Sequence, residues 1–207
     1  MTGRRLLRYV ALGDSYTIGT ALDDAGERWP DRLVRALEAR QAGARLDLVA
    51  NLGVNGYTTR DLIEDELPDL APLRPEFASV LIGVNDVVQG VPEITYRANA
   101  TAILDELLTT LAPERLVTIG TPDYTVTPEG AAYGDPATQA AAIRRNNAIL
   151  AELSVARGIA FVDIYDLSLR AAADRSLVAV DGLHPSGTQY GLWVERIAPV
   201  VAGLIGR

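Results

Sequence analysis

The sequence contains no cysteine, no lysine and a single histidine, and each of these features excludes a kind of chemistry. Without cysteine the chain forms no disulfide, no thiolate metal site and no cysteine nucleophile. Without lysine it has neither a Schiff-base lysine nor the lysine of a phosphate-binding P-loop. Any imidazole chemistry therefore depends on His184.

Long apolar runs and clusters of basic residues are also missing. No stretch approaches the roughly 18 apolar residues of a membrane-spanning helix, so stable membrane insertion is not expected. The net charge is −8 and the 19 arginines are dispersed, which argues against a nucleic-acid partner. The start of the chain has no apolar stretch of signal-peptide length, so we expect a cytoplasmic location.

The remaining composition is that of a folded protein. Of the 207 residues, 48% are hydrophobic and 22% are charged, which predicts a compact chain with a sizeable core. We expect residues 1–207 to form one domain. No cluster of acidic residues and histidine suggests a metal site, and no cofactor is expected. The sequence does not indicate an oligomeric state.

Short apolar stretches alternate with longer stretches of helical period, a pattern typical of a parallel sheet covered by helices on both faces. The predicted strands are residues 7–13, 46–52, 77–83, 116–121 and 159–164. Thr58 followed by Asp61 predicts a capped short helix between the second and third strands. A final helix over 186–204 is predicted to pack Leu192, Ile197 and Val200 against the sheet.

Polar and glycine-rich motifs follow the first three strands. They are Gly13-Asp14-Ser15, the segment 51–58 with Gly53 and Gly56, and Gly83-Val84-Asn85-Asp86. Ligands of open α/β sheets bind beyond the carboxyl ends of the strands, so these motifs mark a candidate site. A fourth motif, Asp181-Gly182-Leu183-His184, holds the only histidine.

These four motifs, in this order, resemble the sequence blocks of the GDSL or SGNH hydrolase family, over about residues 9–190. The resemblance implies a catalytic triad of Ser15 as nucleophile, His184 as base and Asp181 as the acid that orients it. It also implies an oxyanion hole formed by Ser15, Gly56 and Asn85, with Gly53 as a competing candidate for the glycine. Tyr16 stands where the family has leucine, at a position expected to pack or line a pocket.

The chemistry is consistent with these roles. A serine hydroxyl needs a base to become nucleophilic, and a neutral imidazole oriented by a carboxylate supplies it. Residues after strands one, two and three can meet only if strand one lies between the other two. This supports the fold that the resemblance implies, a flavodoxin-like three-layer α/β/α sandwich with a five-stranded parallel sheet in the order 2-1-3-4-5.

Several alternatives stay open. Small carboxylic esters are the expected substrates, with thioesters, O-acetylated sugars and acyl transfer to an alcohol as variants. A non-catalytic flavodoxin-like binding domain is the alternative from another class, since Gly-Asp-Ser is also an ordinary helix-capping turn. Asp163 rivals Asp181 as the orienting acid. Trp29, Tyr57 and Tyr133 are candidates for lining a pocket, and the long loop 121–136 is a candidate functional segment.

Overall fold

The computed structural model describes residues 4–206 and contains one parallel β-sheet. Its strands lie in the order β2-β1-β3-β4-β5, and every neighbouring pair is parallel. The predicted strand order is confirmed, and each strand starts and ends within two residues of its predicted bounds. The strands are β1 (Leu6–Gly13), β2 (Arg45–Asn51), β3 (Phe77–Leu81), β4 (Leu116–Ile119) and β5 (Ala160–Val162).

Helices connect the strands and cover both faces of the sheet. None of the helices within residues 4–206 is long and apolar enough to cross a bilayer. In chain order they are α1 (Ser15–Ile18), α2 (Trp29–Ala39), α3 (Thr59–Asp61), α4 (Leu70–Leu73), α5 (Val84–Val88), α6 (Glu93–Leu107), α7 (Pro136–Ala156), α8 (Tyr165–Ser168) and α9 (Gly187–Ile205).

The side chains of β1 contribute to the cores on both faces of the sheet. Leu7, Tyr9 and Ala11 pack into the core that α2 and α9 cover, while Val10 and Leu12 pack into the core beneath α6. All five side chains are fully buried. An unbroken apolar run is what a central parallel strand requires, because water reaches neither of its faces.

Most of the packing predicted for the final helix is confirmed. Ile197 is fully buried and Leu192 packs against the same core, as predicted. The prediction for Val200 is wrong, since this side chain is 37% exposed and Val201 is buried instead. Residues four apart share one face of a helix, so Val201 lies above Ile197 and Val200 is turned towards solvent.

The predicted capped short helix after β2 is confirmed. Asp61 Oδ2 accepts the backbone N–H of Thr58 at 2.7 Å, and Thr58 Oγ accepts the N–H of Asp61 at 3.4 Å. Beyond α3 the chain continues through a π-helical turn, Leu62–Glu66, and a 3₁₀ turn, Leu67–Asp69, into α4. π-turns are frequent near functional sites, and this one packs against β1.

The carboxyl end of β1 approaches β3 too closely for any side chain. Gly13 has a φ of +149°, and a Cβ added there would lie 2.1 Å from the carbonyl oxygen of Leu81 and 2.5 Å from Thr17 Oγ. Only glycine fits both the backbone conformation and the space. The sharp turn into α1 therefore depends on this residue.

Replacing Gly13 with alanine should lower the free energy of unfolding by at least about 2 kcal/mol, because the new Cβ strains the backbone and displaces β3. Chemical denaturation measures the change. Gly203→Ala is the control: a Cβ there meets nothing within 4 Å, and alanine inside α9 should stabilise by about 0.5–1 kcal/mol. Equal stabilities of Gly13→Ala and wild type would contradict the close approach.

Candidate active site

The turn after β1 presents Ser15 at the carboxyl edge of the sheet. Asp14 caps α1, and its Oδ1 accepts the backbone N–H of Tyr16 at 2.9 Å. Ser15 is the first residue of α1, so its own N–H has no partner inside the helix. The side chain is largely buried but lines a cavity of about 280 Å³. A ligand in this cavity would lie against both the hydroxyl and the helix N-terminus.

The segment after β2 contains the two glycines considered as backbone donors. Gly53 packs against α1, where an added Cβ would lie 2.8 Å from the Asp14 carbonyl oxygen. Its N–H donates to Asn51 Oδ1 at 3.1 Å, and Asn51 Nδ2 donates to the Thr17 carbonyl at 2.7 Å. Gly56 has a φ of +82°, lines the cavity and has open space around its Cα. The N–H of Gly53 is thus engaged, whereas Gly56 borders the cavity.

Asn85 lies in α5, directly after β3, and lines the same cavity. Its Nδ2 donates to the carbonyl oxygen of Tyr57 at 2.9 Å. A primary amide has two N–H groups, so one orients the side chain and the other remains for a ligand. The neighbouring Asp86 is fully buried and accepts the N–H and hydroxyl of Thr59 at 2.9 and 2.5 Å. These bonds join the loops after β2 and β3.

Asp181 and His184 form a hydrogen-bonded pair in the loop before α9. The loop is closed by the backbone N–H of Ala179, which donates to the His184 carbonyl at 2.7 Å. His184 Nδ1 lies 2.5 Å from Asp181 Oδ2, and Asp181 Oδ1 accepts the N–H groups of Leu183 and His184 at 3.0 Å each. The carboxylate is therefore fixed by the backbone while it contacts the ring.

The environment of Asp181 favours its charged form. Partial burial raises the pKa of the carboxyl, but hydrogen bonds from the His184 ring and from two backbone N–H groups outweigh that effect. The net result is a pKa below the usual aspartate value. The pair thus combines an ionised carboxylate with an imidazole whose other nitrogen, Nε2, is not occupied by Asp181.

The His184 ring borders the same cavity as Ser15. Tyr16 packs edge-on against it, with 5.8 Å between ring centroids, and is itself buried. The expectation that position 16 packs or lines the pocket is confirmed, since Tyr16 does both. Within residues 4–206, no hydrogen bond joins the Ser15 hydroxyl to the His184 ring. The two side chains line one cavity without a hydrogen bond between them.

Asp163, the alternative candidate for the orienting acid, does not line the cavity that His184 borders. Its Oδ1 accepts the backbone N–H of Tyr165, the first residue of α8, at 2.8 Å. It borders a separate cleft with Arg144 and Phe161. The carboxylate that contacts the His184 ring is that of Asp181.

Apolar side chains form much of the cavity wall. Tyr133 lines the cavity as proposed, whereas Trp29 is fully buried in the core and the Tyr57 hydroxyl donates to Asp65. Sequence patterns missed Tyr124, although the predicted long loop contains it. The full lining is Ser15, Tyr16, Thr20, Asn55, Gly56, Val84, Asn85, Val88, Tyr124, Tyr133, Leu183 and His184.

Hydrogen bonds to α8 anchor the long loop. The Asp123 N–H donates to Ser168 Oγ at 2.8 Å, and Asp123 Oδ2 accepts the Tyr165 hydroxyl at 2.6 Å. Tyr124 and Tyr133 then pack edge-on with ring centroids 5.8 Å apart. Hydrogen bonds to α8, which lies outside the four sequence motifs, therefore anchor the loop that carries Tyr124 and Tyr133. Among residues 4–206, no group of three or more acidic or histidine residues is suited to a metal ion.

Comparison with known proteins assigns the chain to a family. The model of the GDSL-like Lipase/Acylhydrolase family matches residues 11–192, a range that includes all four motifs. The chain belongs to this family. As a GDSL-like acylhydrolase it is a hydrolase of the esterase type. A comparison with curated protein sequences gave no match.

Solved structures share the fold at low sequence identity. A lipase/acylhydrolase from Enterococcus faecalis is 22% identical with a TM-score of 0.76, covering 95% of this chain and 96% of the other. An acetyl xylan esterase variant from Geobacillus stearothermophilus is 21% identical with a TM-score of 0.69 and 94% of both chains covered. The esterase EstA from Pseudoalteromonas sp. is 17% identical with a TM-score of 0.70, covering 97% and 99%.

Proposed function

We propose that this GDSL-like hydrolase cleaves small carboxylic esters through an acyl-enzyme, with Ser15 as nucleophile, His184 as general base and Asp181 as the acid that orients the base. The observation that carries the proposal is the Asp181–His184 pair, joined at 2.5 Å, whose imidazole borders the cavity that Ser15 lines. A neutral imidazole that donates through Nδ1 to a carboxylate can accept a proton at Nε2.

The reaction follows from this arrangement. The Ser15 oxygen attacks the ester carbonyl carbon as its proton moves to His184 Nε2. The tetrahedral intermediate expels the alcohol, which takes that proton from the imidazole, and the acyl group stays on Ser15. Water then attacks the acyl-enzyme by the same steps and releases the acid. Hydrogen bonds between base and nucleophile are often long without substrate, so the missing Ser15–His184 bond is compatible with this mechanism.

Three donors are proposed to stabilise the negative oxygen of the intermediate: the backbone N–H groups of Ser15 and Gly56 and the side-chain amide of Asn85. The free N–H at the start of α1 supports the first. The open position of Gly56, together with the engaged N–H of Gly53, supports Gly56 over its competitor. The bond from Asn85 to Tyr57 holds the amide in place before substrate arrives, which is what preorganised stabilisation needs.

The cavity supports a small substrate. Its volume of about 280 Å³ is just below the range of about 300–1,000 Å³ that is typical of ligand pockets. Val84, Val88 and Tyr124 offer apolar contacts to an acyl group, while Thr20 and Asn55 offer polar contacts. Thioesters and O-acetylated sugars remain alternative substrates, and one structural neighbour is described as an acetyl xylan esterase.

A fluorophosphonate probe tests catalysis against the non-catalytic binding domain. Attack by an activated serine should place one covalent adduct on Ser15, located by peptide mass spectrometry. Ser15→Ala should abolish labelling while the thermal unfolding curve stays cooperative. An unlabelled, well-folded wild-type protein would contradict the proposed hydrolase and favour the binding domain.

Removing the amide of Asn85 should slow turnover without preventing serine activation. We expect Asn85→Ala to lower kcat by about two to three orders of magnitude, as for other single losses of an oxyanion donor. Asn55→Ala is the matched control: Asn55 lines the same cavity but hydrogen-bonds Thr20, so its loss should have a much smaller effect on kcat. Equal effects of the two substitutions would remove Asn85 from the oxyanion hole.

A substrate panel tests the size of the acyl group. With p-nitrophenyl esters of increasing chain length, kcat/KM should be highest for acetyl to butyryl groups and fall for longer chains, because the cavity is small. Acyl thioesters and acetylated sugars in the same panel distinguish the alternative substrates. A maximum at long chains would contradict the proposed preference.

A further inference from the structure

A buried glutamate lies beneath the turn that carries Ser15. Glu66, the last residue of the π-helical turn, is 2% exposed. Its Oε2 accepts the backbone N–H of Gly13 at 2.9 Å. The carbonyl of the same glycine accepts the N–H of Val54 at 3.2 Å. Gly13 is thus held on one side by Glu66 and on the other by the loop after β2.

The single hydrogen bond from the Gly13 N–H does not offset the free-energy cost of burying a charged carboxylate. The second oxygen of Glu66, Oε1, is buried and has no hydrogen-bond partner among residues 4–206. A carboxylate away from water needs several donors or a cation, whereas a neutral carboxylic acid can accept a single N–H at its carbonyl oxygen. The contacts therefore fit the protonated side chain.

The charged groups around Glu66 also favour the neutral acid. Asp65, on the same turn, brings negative charge towards it, and Asp14, at the end of β1, adds to this charge whenever it is ionised. Cations on the elements packed against this turn are engaged elsewhere: Arg60 pairs with Glu64, and Arg97 pairs with Glu152.

The other ionisable residues of these elements are exposed, neutral or bound to other groups. Asp69 and Glu106 are exposed, Glu93 pairs with Arg145, and burial raises the pKa of the Tyr9 and Tyr96 phenols. Asp61 caps α3 through Thr58, Asp105 pairs with Arg157, and the Arg8 guanidinium donates to the Leu73 carbonyl.

As pH rises, Asp14 loses its proton before Glu66 does. Burial raises the pKa of both carboxyls, to about 8 for Asp14 and about 9 for Glu66. Asp14 caps a helix N-terminus and accepts the Tyr16 N–H, which stabilises its charged form. Once Asp14 is charged, its field holds the proton on Glu66. Glu66 is therefore neutral at pH 7.

We propose that Glu66 is a positioning residue for the hydrolysis reaction: as a neutral acid it holds the Gly13 N–H and thereby sets the position of the Ser15 hydroxyl and backbone N–H. The proposal rests on the proposed role of Ser15. Its physical basis is the short covalent path, because Gly13 is only two residues from the nucleophile. A displacement of about 1 Å at a reacting group can reduce turnover about 100-fold.

Two substitutions of Glu66 distinguish the loss of the hydrogen-bond acceptor from a change in side-chain volume. Glu66→Gln keeps the size and a carbonyl acceptor for Gly13, and it should retain kcat within about threefold at pH 7. Glu66→Leu removes the acceptor, and it should lower kcat by up to about 100-fold with a smaller change in KM. Glu64→Gln, two residues away and exposed, is the matched control and should leave kcat, KM and the melting temperature unchanged.

The pH dependence of kcat tests the protonation state of Glu66 separately from the packing of its side chain. As pH rises through the pKa of Glu66 near 9, the wild type gains a buried charge and kcat should fall. Glu66→Gln has no such proton to lose, so its kcat should stay higher on the alkaline side. An alkaline decline of the same size and midpoint in both proteins would overturn the proposal.

Thermal unfolding tests the neutral state without relying on catalysis. An unfolded glutamate releases its proton near pH 4.3, whereas folded Glu66 keeps it to about pH 9. Between these values the folded state binds more protons, so the stability of the wild type falls as pH rises, relative to Glu66→Gln. The Tm difference between variant and wild type should grow from pH 5 to pH 9 and then level off.

The outcomes distinguish this proposal from the proposed function. A Tm difference that stays constant from pH 5 to pH 9 means that Glu66 is charged when folded, and the proposal fails. Equal kcat values of Glu66→Leu and wild type overturn the positioning role. An unlabelled Ser15 and absent ester turnover in the wild type would instead contradict the proposed hydrolase, while the Tm comparison would still report the state of Glu66.

Discussion

The position of β1 between β2 and β3 is the constraint on which the candidate site depends. Neighbouring strands of a sheet lie about 4.8 Å apart, and the carboxyl ends of parallel strands lie at one edge. Ser15, Gly56 and Asn85 follow these three strands, so the strand order brings their loops together. Gly13 permits the approach, since a side chain there would meet the backbone of β3.

Polar contacts at the carboxyl edge of the sheet then link the loops to one another. Asn51 links β2 to α1, Asp86 links α5 to Thr59, and Asn85 reaches the carbonyl of Tyr57. Hydrogen bonds shielded from water are costly to break, so these contacts restrict the movement of the loops where they border the cavity. A site that stabilises developing charge benefits from this rigidity, because its donors do not need to reorganise during the reaction.

Much of the fold and of the site could be predicted because the underlying signals are local. Apolar strand patterns, the Thr58–Asp61 cap and the four motifs all depend on residues close together in the sequence. The pairing of Asp181 with His184 follows from their three-residue spacing. Predictions for single aromatic residues were less accurate: Tyr133 lines the cavity, while Trp29 belongs to the core.

The sequence by itself determined the strands, their order through the family resemblance, and the residue types that the chemistry needs. Only the tertiary structure decided that the Gly53 N–H is engaged by Asn51 and that Asp163 lies away from His184. It also decided that Glu66, one of several acids in an acidic stretch, is buried against Gly13. Burial, hydrogen-bond partners and nearby charges depend on residues that are distant in the sequence, and local patterns carry no record of them.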